Sequence, residues 1–524
     1  MSEKTAKVPQ YPSAEEKTAA TKTGMSLALW AQFCPNAPAI ISPTGNRSFF
    51  ELNANSNKLA RALRTQGLKA GDAVALISSN RPEFAEVVFA CTRAGLLYTP
   101  INRHLNADEI AYIVTDCGAK ALIGDARFAQ QMEDTAAICP AATVRLSLSG
   151  DIGGFDSYSA AIAEHAGTDL GDPTLGNRML YTSGTTGRPK GVIRQPNYST
   201  QLEAITSAPK YQSGTGQLNL CTGPYYHGGP LTFSLSMPLS QGVGVVIMEK
   251  WDAAEALKLI EEHGITHTHM VPTMFHRLLR LPDEVRSSAD ISSMQYILHG
   301  AAPCPVPAKQ GMMDWFGPVL WEYFAATEGS GASCSPQQWL ARPGTVGKPP
   351  SDDHVRILDD EGGLCGAGDI GNIYLKGAGE LDFQYLNDPK KTTDAHRESH
   401  FTVGDIGYLD EDGFLFITDR NANIIVSGGV NIYPAEVEAA LLEHPAVKDA
   451  AVIGVQNPEW GEEVKAVVQL EDHTSSIEED ALIEHCRGSI AHFKCPRSVD
   501  FVERLPRDDN GKLYRRRLLE SYRP

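Results

Sequence analysis

Apolar segments of strand length alternate with amphipathic segments of helix length in the first quarter of the chain. Residues 72–80, 98–102 and 120–125 are almost continuously apolar, and residues 82–96 and 107–117 between them have the pattern of helices. Strands that are apolar on both faces are typical of parallel sheets that helices cover on both sides. The pattern therefore predicts a β-α-β-α-β series and an α/β fold.

A second series of the same kind follows further along the chain. Its predicted strands at 243–249, 265–272, 296–300 and 319–325 alternate with helical segments such as 253–264. Because each series requires its own sheet with helices on both faces, the sequence predicts a large N-terminal domain with two doubly wound sheets.

The pattern changes after residue 344. Short strands and turns rich in Gly and Asp at 344–417 are typical of a small antiparallel barrel. The chain beyond it has the pattern of a small, compact α+β domain, with predicted elements at 423–433, 434–443, 450–455, 464–470 and 476–488. Ser476 is the predicted cap of the last helix, because Glu479 stands three residues later. We therefore expect an N-terminal domain at 1–419 and a C-terminal domain at 420–524.

Composition excludes several classes of protein. The chain has 524 residues and a net charge of -18, so neither a nucleic-acid binder nor docking by charge on an anionic membrane is expected. Its ten cysteines form no Cys-x-x-Cys pair, which is typical of a reducing compartment. Residues 1–24 lack the apolar core of a secretory signal, and no apolar run reaches the roughly 18 residues that span a bilayer. We expect a cytoplasmic protein without a transmembrane segment.

A loop rich in glycine and hydroxyl groups follows the short apolar run 179–181. Its glycines lack the Cβ atoms that would keep a polyphosphate away, its N–H groups can form an anion nest, and a lysine adds positive charge. The spacing is not that of a Walker A loop, because the lysine is followed by glycine. The predicted phosphate-binding residues are Thr182, Ser183, Gly184, Thr185, Thr186, Gly187 and Lys190.

The segment 181–191, Tyr-Thr-Ser-Gly-Thr-Thr-Gly-Arg-Pro-Lys-Gly, closely resembles the signature of the adenylate-forming superfamily. That superfamily includes acyl-CoA synthetases, luciferases and peptide-synthetase adenylation domains. The resemblance extends from residues 35–39 to residues 505–518, with further motifs in the family's order. It implies ATP, Mg²⁺ and coenzyme A as cofactor and substrates, and a small-molecule carboxylic acid as the molecule activated. It also implies that the C-terminal domain is mobile.

The resemblance also assigns residues around the nucleotide. It implies that Phe324 stacks on adenine, Thr327 contacts the α-phosphate and Glu328 holds Mg²⁺, and these residue types suit those ligands. Two departures occur, since Phe324 replaces the family's Tyr and Ala325 replaces its Gly. The full set in these two motifs is Gly300, Ala301, Ala302, Pro303, Glu322, Tyr323, Phe324, Ala325, Ala326, Thr327 and Glu328.

Further along the chain, the resemblance implies contacts to ribose and to coenzyme A. Asp405 matches the aspartate that accepts both ribose hydroxyls, and Arg420 matches the arginine that reaches ribose and phosphate. Ala422 occupies the hinge position, where relatives usually carry Asp or Lys. The strand that lines the pantetheine tunnel matches Ser427, Gly428 and Gly429.

Three residues are predicted to be catalytic. By family match Lys512 neutralises charge between the carboxylate and the α-phosphate, and Glu328 acts through its metal. His227 lies in a Pro-x-x-His motif of CoA ligases and is placed beside the carboxylate. His267 and His269 share one face of a predicted strand, but no third ligand stands nearby and we expect no metal site there.

These residues predict an ATP-dependent carboxylic acid–CoA ligase that forms an acyl-adenylate and then a thioester. No Asp stands near His227 to hold an ammonium, so an amino acid is not expected. Small residues predict room for a medium- or long-chain acid or a bulky apolar acid: Ala301, Ala302, Ala325, Ala326, Gly329, Ser330, Gly331 and Ala332. One alternative is a stand-alone adenylation enzyme that loads a carrier protein, and another is a regulatory nucleotide-binding protein without catalysis. The sequence leaves a homodimer open.

Overall fold

The computed structural model describes residues 11–182, 189–194, 211, 216–377, 383–420, 423–427, 430–457, 460–471, 477–509 and 511–522. Contacts within the chain group it into two compact units. The first comprises Met1–Met270, Arg280–Leu298 and Ala378–Asp394, and the second comprises Val271–Leu279, His299–Gly377 and Ala395–Pro524.

The strands, numbered along the chain, are β1 (Pro38–Ile41), β2 (Arg47–Ser48), β3 (Ala73–Ile77), β4 (Leu97–Pro100), β5 (Ala119–Asp125), β6 (Val144–Leu148), β7 (Asp156–Ser157), β8 (Asn177–Arg178), β9 (Leu180–Thr182), β10 (Lys190–Arg194), β11 (Leu218–Cys221), β12 (Gly244–Ile247), β13 (His267–Met270), β14 (Tyr296–His299), β15 (Leu320–Ala325), β16 (Ser330–Cys334), β17 (Val355–Leu358), β18 (Gly371–Lys376), β19 (Phe383–Tyr385), β20 (His396–Arg397), β21 (His400–Phe401), β22 (Asp405–Leu409), β23 (Leu415–Arg420), β24 (Ile425–Ser427), β25 (Val430–Ile432), β26 (Val447–Asn457), β27 (Gly461–Leu470) and β28 (Ser498–Phe501).

The α-helices are α1 (Ala14–Thr23), α2 (Ser26–Phe33), α3 (Phe49–Thr65), α4 (Pro82–Ala94), α5 (Ala107–Asp116), α6 (Ala129–Ile138), α7 (Tyr158–Ala163), α8 (Gly228–Leu231), α9 (Met237–Ser240), α10 (Ala253–His263), α11 (Pro272–Leu279), α12 (Asp283–Ser288), α13 (Val306–Phe316), α14 (Pro336–Ala341), α15 (Pro389–Ala395), α16 (Pro434–Leu442), α17 (Glu479–Ser489) and α18 (Arg515–Glu520). A π-helical segment, Thr232–Ser236, joins α8 to α9.

The first sheet of the first unit has six strands in the order β7-β6-β5-β3-β4-β8, and every neighbouring pair is parallel. The predicted β-α-β-α-β series is therefore confirmed. Strand β3 ends at Ile77 rather than at residue 80, because the residues after it enter a polar network. There Ser79 Oγ donates to Asp125 Oδ2 at 2.6 Å, and Arg81 Nη1 lies 3.3 Å from Asp125 Oδ1.

The second sheet of this unit runs in the order β14-β13-β11-β12-β1-β2. Strands β1, β11, β12 and β13 pair in parallel, and the edge strand β2 is antiparallel. The chain passes from β11 to β12 on one side and then to β13 on the other side. A topological switch point therefore lies between β11 and β13, and ligands of open α/β sheets bind at such points.

Helices α3 and α4 belong to a core that both sheets share. Helix α3 begins with a capping box of Ser48 and Glu51, and α4 begins with Pro82 and ends before Gly95, whose φ is 76°. Their apolar residues cluster with residues of both sheets, among them Leu76 of β3. The opposite face of the first sheet packs against α5 and α6. The predicted cover of helices on both faces is thus observed for the first sheet.

The second unit is mostly antiparallel. Strands β15 and β16 form a hairpin, and a six-stranded sheet has the order β20-β21-β18-β22-β23, with β17 paired to β18. This sheet stands where a small barrel was predicted. The pairings of its described strands form one open series rather than a closed ring.

The C-terminal part of the second unit contains a five-stranded sheet, β25-β24-β27-β26 with β28 beside β27. Helix α16 begins at Pro434 as predicted. The predicted cap of the last long helix is wrong, because α17 begins at Glu479 and its N-cap residue, Glu478, makes no side-chain bond to the helix. Glu479 instead accepts from the Val499 N–H at 3.1 Å, a contact that tertiary packing supplies. Ser476 lies outside the described residues.

The division into domains at residue 419 stays a prediction. Among the described residues, no helix has both the length and the apolar character that crossing a bilayer requires.

A buried arginine ties α3 and α4 to the segment that follows α7. Arg93 of α4 is fully buried, and its Nη1 donates to Asn53 Oδ1 at 2.7 Å and to Asn57 Oδ1. Both asparagines donate in turn to Asp169 Oδ1, at 2.9 and 3.0 Å. Burial lowers the pKa of Arg93 to about 10, so the side chain stays charged at neutral pH.

We expect Arg93→Met to destabilise the first unit, because the change leaves two buried amide oxygens without their donor. The free energy of unfolding should fall by about 2–3 kcal/mol, seen as a lower thermal transition. The matched control is Arg64→Met, since Arg64 of the same helix pair bonds Asp172, whose side chain is 81% exposed. The control should leave the transition nearly unchanged. Equal shifts in both variants would contradict the structural role of Arg93.

Candidate active site

The predicted phosphate loop connects two antiparallel strands of the first unit. Strand β9 ends at Thr182, β10 begins at Lys190, and the Cα atoms of these two residues are partners in the ladder. The roles of the loop residues stay predictions, because these lie outside the described residues: Ser183, Gly184, Thr185, Thr186 and Gly187.

Polar contacts hold the base of this loop. The Tyr181 hydroxyl donates to Asp116 Oδ2 at 2.6 Å, and burial together with this bond raises the pKa of the tyrosine. Lys190 is 13% exposed, and its Nζ lies 3.7 Å from Asp388 Oδ2 and 5.9 Å from the centre of the Tyr385 ring. A phosphate at the loop would therefore compete with Asp388 for the lysine charge.

His227 lies at the start of α8, after the carboxyl end of β11. Its backbone N–H donates to the carbonyl of Pro224 at 3.1 Å, and its ring centre lies 4.7 Å from that of Tyr226. The side chain is partly exposed, whereas Tyr225 and Tyr226 before it are buried. The position beside a switch point suits a residue that meets a ligand, and the role of His227 beside the carboxylate stays a prediction.

The predicted adenine-side loop belongs to the second unit. Gly300 is required there, because a Cβ atom would lie 2.6 Å from the carbonyl oxygen of Tyr323 and 2.7 Å from its ring. Ala301 has a φ of 67°, a strained value for a residue with a side chain, and strain of this kind concentrates at ligand sites. Ala301, Ala302 and Pro303 are exposed. The loop is therefore accessible to a ligand, and its backbone conformation is restricted.

A tight turn presents the residues assigned to phosphate and metal. The N–H of Ala326 donates to the carbonyl of Gly329 at 2.7 Å, so Thr327 and Glu328 occupy the tip between β15 and β16. The β15–β16 ladder shifts register between Phe324 and Ala325, where the chain leaves the strand. Phe324 and Thr327 are partly exposed, and Glu328 is buried to 6% exposure. An aromatic face, a hydroxyl and a carboxylate thus share one short hairpin.

The sequence predicted that the small residues after this turn leave room for an acid. The two glycines among them do not leave that room. A Cβ atom at Gly329 would lie 2.6 Å from Phe401 Cζ, and one at Gly331 would lie 2.5 Å from Phe324 Cδ1. The space beside both glycines is therefore filled by aromatic rings of the protein itself. That part of the pocket prediction is wrong, because rings distant in sequence or across the hairpin occupy the room.

Glu322 faces the protein interior, and Tyr323 beside it is partly exposed. Glu322 is 5% exposed, and its Oε2 accepts from the Nζ of the fully buried Lys309 at 2.6 Å, with His299 Nε2 at 3.6 Å. Burial raises the pKa of Glu322, and the neighbouring Lys309 opposes that rise. The Lys309 ammonium also lies 5.0 Å from the ring centre of Trp339. The Glu322 carboxylate is thus bonded to Lys309 of α13, and the predicted contact of this motif residue with the nucleotide stays a prediction.

Asp405 and Arg420 are direct partners across β22 and β23, which supports a joint role. Asp405 is 5% exposed, and the side chain of Arg420 lies outside the described part of the structure. Asp419 next to it accepts from the N–H of Ala435 at 3.1 Å and from Asn423 Nδ2 at 3.2 Å. The carboxylate of Asp419 therefore fixes the start of α16 and the end of the predicted hinge segment.

Lys512 lies in a loop that two hydrogen bonds between Lys512 and Asp508 close. The Lys512 N–H donates to Asp508 Oδ1 at 2.9 Å, and the Asp508 N–H donates to the Lys512 carbonyl at 3.0 Å. Gly511 has a φ of 78°, and a Cβ atom there would lie 2.3 Å from Thr273 Oγ1, so only glycine fits. The Lys512 side chain is exposed. The turn predicted before the lysine is therefore present.

The remaining predicted residues lie near the start of the C-terminal sheet. Ser427 pairs with Val430 in a hairpin and with Gly461 of β27. The roles of three residues stay predictions because they lie outside the described residues: Ala422, Gly428 and Gly429.

The described side chains do not form a metal-binding cluster of their own. Within the described residues, no group of three or more His, Cys, Asp or Glu is arranged to hold a metal ion. A magnesium ion that also binds phosphate oxygens needs only one or two carboxylates. The role of Glu328, at the hairpin tip, as its ligand stays a prediction. His267 and His269 are buried, which lowers their pKa values to about 4 and about 3.

Sequence reasoning missed Lys309 and Asp419. Lys309 carries no motif, and only the fold brings it to Glu322. Asp419 stands beside Arg420 in the sequence, and that adjacency to a motif residue was the one available signal.

The chain matches two known sequence families. Residues 27–381 match the AMP-binding enzyme family, and residues 436–512 match the AMP-binding enzyme C-terminal domain. The chain belongs to the AMP-binding enzyme family. The predicted resemblance to adenylate-forming enzymes and the α/β fold class are thereby confirmed.

Similar proteins of this family differ in their named substrates. The chain is 32% identical to 2-succinylbenzoate–CoA ligase of Bacillus licheniformis, over 93% of this chain and 98% of that protein. It is 30% identical to long-chain-fatty-acid–CoA ligase FadD13 of Mycobacterium tuberculosis, over 95% and 98%. The o-succinylbenzoate CoA synthetase of Bacillus subtilis with its acyl-adenylate intermediate superimposes with a TM-score of 0.78 at 28% identity, covering 94% of this chain and 97% of that one.

For this AMP-binding enzyme we expect Lys309→Met to be destabilising in a pH-dependent way, because it leaves the buried Glu322 carboxylate unpaired. At neutral pH the loss should be about 3 kcal/mol in the free energy of unfolding. Burial raises the folded-state pKa of Glu322 above its ordinary value of 4.5, and removing Lys309 raises it further. The folded state then holds a proton that the unfolded state releases, so stability falls as the pH rises through this range.

Thermal unfolding of Lys309→Met and of the wild type at about pH 5 and about pH 8 tests this pH dependence. The variant should lose more stability relative to the wild type at the higher pH. The matched control is the double variant Lys309→Met/Glu322→Gln, in which no carboxyl remains to titrate at this position. Its difference from wild type should not widen with pH. A loss of equal size at both pH values in the single variant would contradict the role of Glu322.

Proposed function

We propose that this enzyme is an ATP-dependent carboxylic acid–CoA ligase that forms an acyl-adenylate and then an acyl-CoA thioester. The hairpin from Phe324 to Glu328 carries the proposal. It offers an aromatic face for adenine, a hydroxyl for the α-phosphate and a buried carboxylate for a divalent cation within five residues. Its relatives are named CoA ligases, which supports the same reaction.

In the first half-reaction a carboxylate oxygen of the acid attacks the α-phosphorus of ATP. The new oxygen–phosphorus bond gives the acyl-adenylate, and pyrophosphate leaves with the electron pair of the broken bond. Lys512 stabilises the negative charge that the acid and the α-phosphate bring together, as an aimed cation does in many transition states. Bound Mg²⁺ would supply charge neutralisation on the phosphates, held by Glu328.

In the second half-reaction a thiolate attacks the acyl carbon, and AMP leaves with its oxygen. Activation through AMP is needed because AMP is a better leaving group than the oxygen of the free carboxylate. The C-terminal segment reorients about Ala422 between the two steps, so that Ser427, Gly428 and Gly429 replace Lys512 near the acyl group. This exchange is the family's expectation and forms part of the proposal.

Two aromatic side chains beside an arginine in the C-terminal part of the chain support coenzyme A as the thiol. Trp460 is 38% exposed, and the Arg497 guanidinium carbon lies 5.0 Å from its ring centre. Phe493, 57% exposed, lines the same surface depression as Arg497. Exposed rings beside a cation suit the phosphoadenosine part of coenzyme A, which the arm of a carrier protein lacks.

The acid we propose is larger than acetate or propionate. The side chains at 301, 302, 325 and 326, near the adenine loop and the hairpin, are all alanine, and their small size supports room for such an acid. Both named relatives act on bulky acids, one aromatic and one a long chain, which supports the same size class. All ten cysteines are free, in keeping with the proposed cytoplasmic location.

AMP formation with and without CoA tests the proposal on a panel of carboxylic acids. With a good acid we expect AMP release to depend on CoA and to match thioester formation. Without CoA, hydroxylamine should trap the adenylate as a hydroxamate. AMP release and thioester formation that depend on a carrier protein and not on CoA would favour the carrier-loading alternative. No AMP with any acid would favour the regulatory alternative.

We expect Lys512→Ala to separate the half-reactions, because the lysine acts only in adenylation. Acyl-adenylate formation should fall by about 10²–10³. Conversion of supplied acyl-adenylate and CoA into thioester should persist. The control is Lys448→Ala, an exposed lysine of β26, which should change neither step. Equal losses of both steps in Lys512→Ala would refute this division of labour.

A further inference from the structure

The segment between β3 and α4 lies at a switch point of the first sheet. Strand β3 is flanked by β4 and β5, and the chain passes from β3 to β4 before it returns to β5 on the other side. Residues that follow strands at such points are favourably placed to serve a ligand site. Asn80 in this segment bonds the end of β11, which belongs to the second sheet.

The Asn80 side chain bonds two backbone groups of the turn that follows β11. Its Nδ2 donates to the Gly223 carbonyl at 2.8 Å, and its Oδ1 accepts from the Tyr225 N–H at 2.9 Å. Asn80 is 6% exposed, and Gly223 and Tyr225 are buried. Buried backbone donors and acceptors need partners, and this one amide supplies a partner to one of each.

A ring of α4 supports the same turn. The centre of the Phe84 ring lies 5.2 Å from that of the Tyr225 ring, with the ring planes inclined at 51°. Both side chains are fully buried. The turn is therefore attached twice, by a polar and by an apolar contact, to residues 80–84.

The neighbours of Asn80 fix its own position. Ser79 Oγ donates to the buried Asp125 at the end of β5, and Arg81 pairs with the same carboxylate. Arg81 Nε also lies 2.7 Å from Glu83 Oε2 in the first turn of α4. Because both flanking residues are bonded to the first sheet and its helix, Asn80 is a rigid support and not a loose surface contact.

The supported turn leads directly to His227. The His227 N–H donates to the Pro224 carbonyl, and the His227 carbonyl accepts from the Leu231 N–H at 3.0 Å, so His227 joins the turn to α8. Residues 222–226 are buried, and His227 is the first partly exposed residue after β11. A shift of the backbone at residues 223–225 would therefore move the His227 side chain.

We propose that Asn80 is a positioning residue of the ligase, whose amide holds the turn at 223–225 so that His227 stands beside the carboxylate of the acid. This inference rests on the proposed function and deepens it. A hydrogen bond from an imidazole to a carboxylate depends steeply on distance and angle. A misplacement of about 1 Å in an active site can cost about 10²-fold in rate, although the residue that causes it touches no substrate.

A double-mutant cycle tests this role on the full-length enzyme with ATP, Mg²⁺, CoA and the best acid of the panel. Wild type, Asn80→Ala, His227→Ala and the double variant are compared well below their thermal transitions. Each single variant should lower kcat/KM for the acid by about 10- to 10²-fold. The double variant should be no worse than His227→Ala, because residues that act as a unit are not additive.

The KM for ATP gives a second readout. It should stay near the wild-type value in Asn80→Ala, because the bonds of Asn80 go to the turn before His227. If Asn80→Ala does not fold, Asn80→Ser takes its place in the same cycle, since its hydroxyl leaves a smaller and more polar gap beside the turn.

The matched control is Asn53→Ala, which removes another buried asparagine of the same unit. Asn53 is 8% exposed and bonds Asp169 and Arg93, not the turn. Its loss should lower the thermal transition and leave kcat/KM for the acid near the wild-type value. This result would show that losing a buried amide does not by itself slow the reaction.

The outcomes separate failure of this inference from failure of the proposed function. If the losses of Asn80→Ala and His227→Ala multiply in the double variant, or if either single variant keeps wild-type kcat/KM, the inference is overturned while the ligase stands. If no acid of any class yields AMP in the wild-type enzyme, the ligase proposal is overturned and this inference with it.

Discussion

The buried ion pair of Lys309 and Glu322 is the interaction on which the nucleotide-side elements of the second unit depend. It joins α13, which follows the loop at 300–303, to β15, which continues into the turn at 326–329. Both charges are removed from water, so the pair is stable only while each has the other. The two motifs are thereby held at a constant separation by a contact that neither motif contains.

Close packing of aromatic rings around three glycines gives this region its shape. Tyr323 fills the space beside Gly300, Phe324 that beside Gly331, and Phe401 that beside Gly329. The rings leave little freedom for the hairpin, so Thr327 and Glu328 are presented by a rigid support. Rigid support matters because a site must hold its groups in a narrow geometry before the ligand arrives.

The first unit follows a different constraint, the topology of parallel strands. Because β11 is flanked by β12 and β13, its carboxyl end opens at a switch point, and His227 follows there in the chain. The same topology aligns Asn219 with His267 and covers them with the π-helical segment.

The sequence by itself determined the elements and the chemistry that local pattern encodes. Continuous apolar strands predicted the parallel sheets, Pro434 marked the start of α16, and the motifs around Glu328, Asp405 and Lys512 indicated the family, because such signals depend on neighbouring residues only. Tertiary structure alone decided the partners of Lys309 and Asp419, the filling of the space beside Gly329, and the start of α17 at Glu479. These depend on contacts between residues far apart in the chain, which no local pattern records.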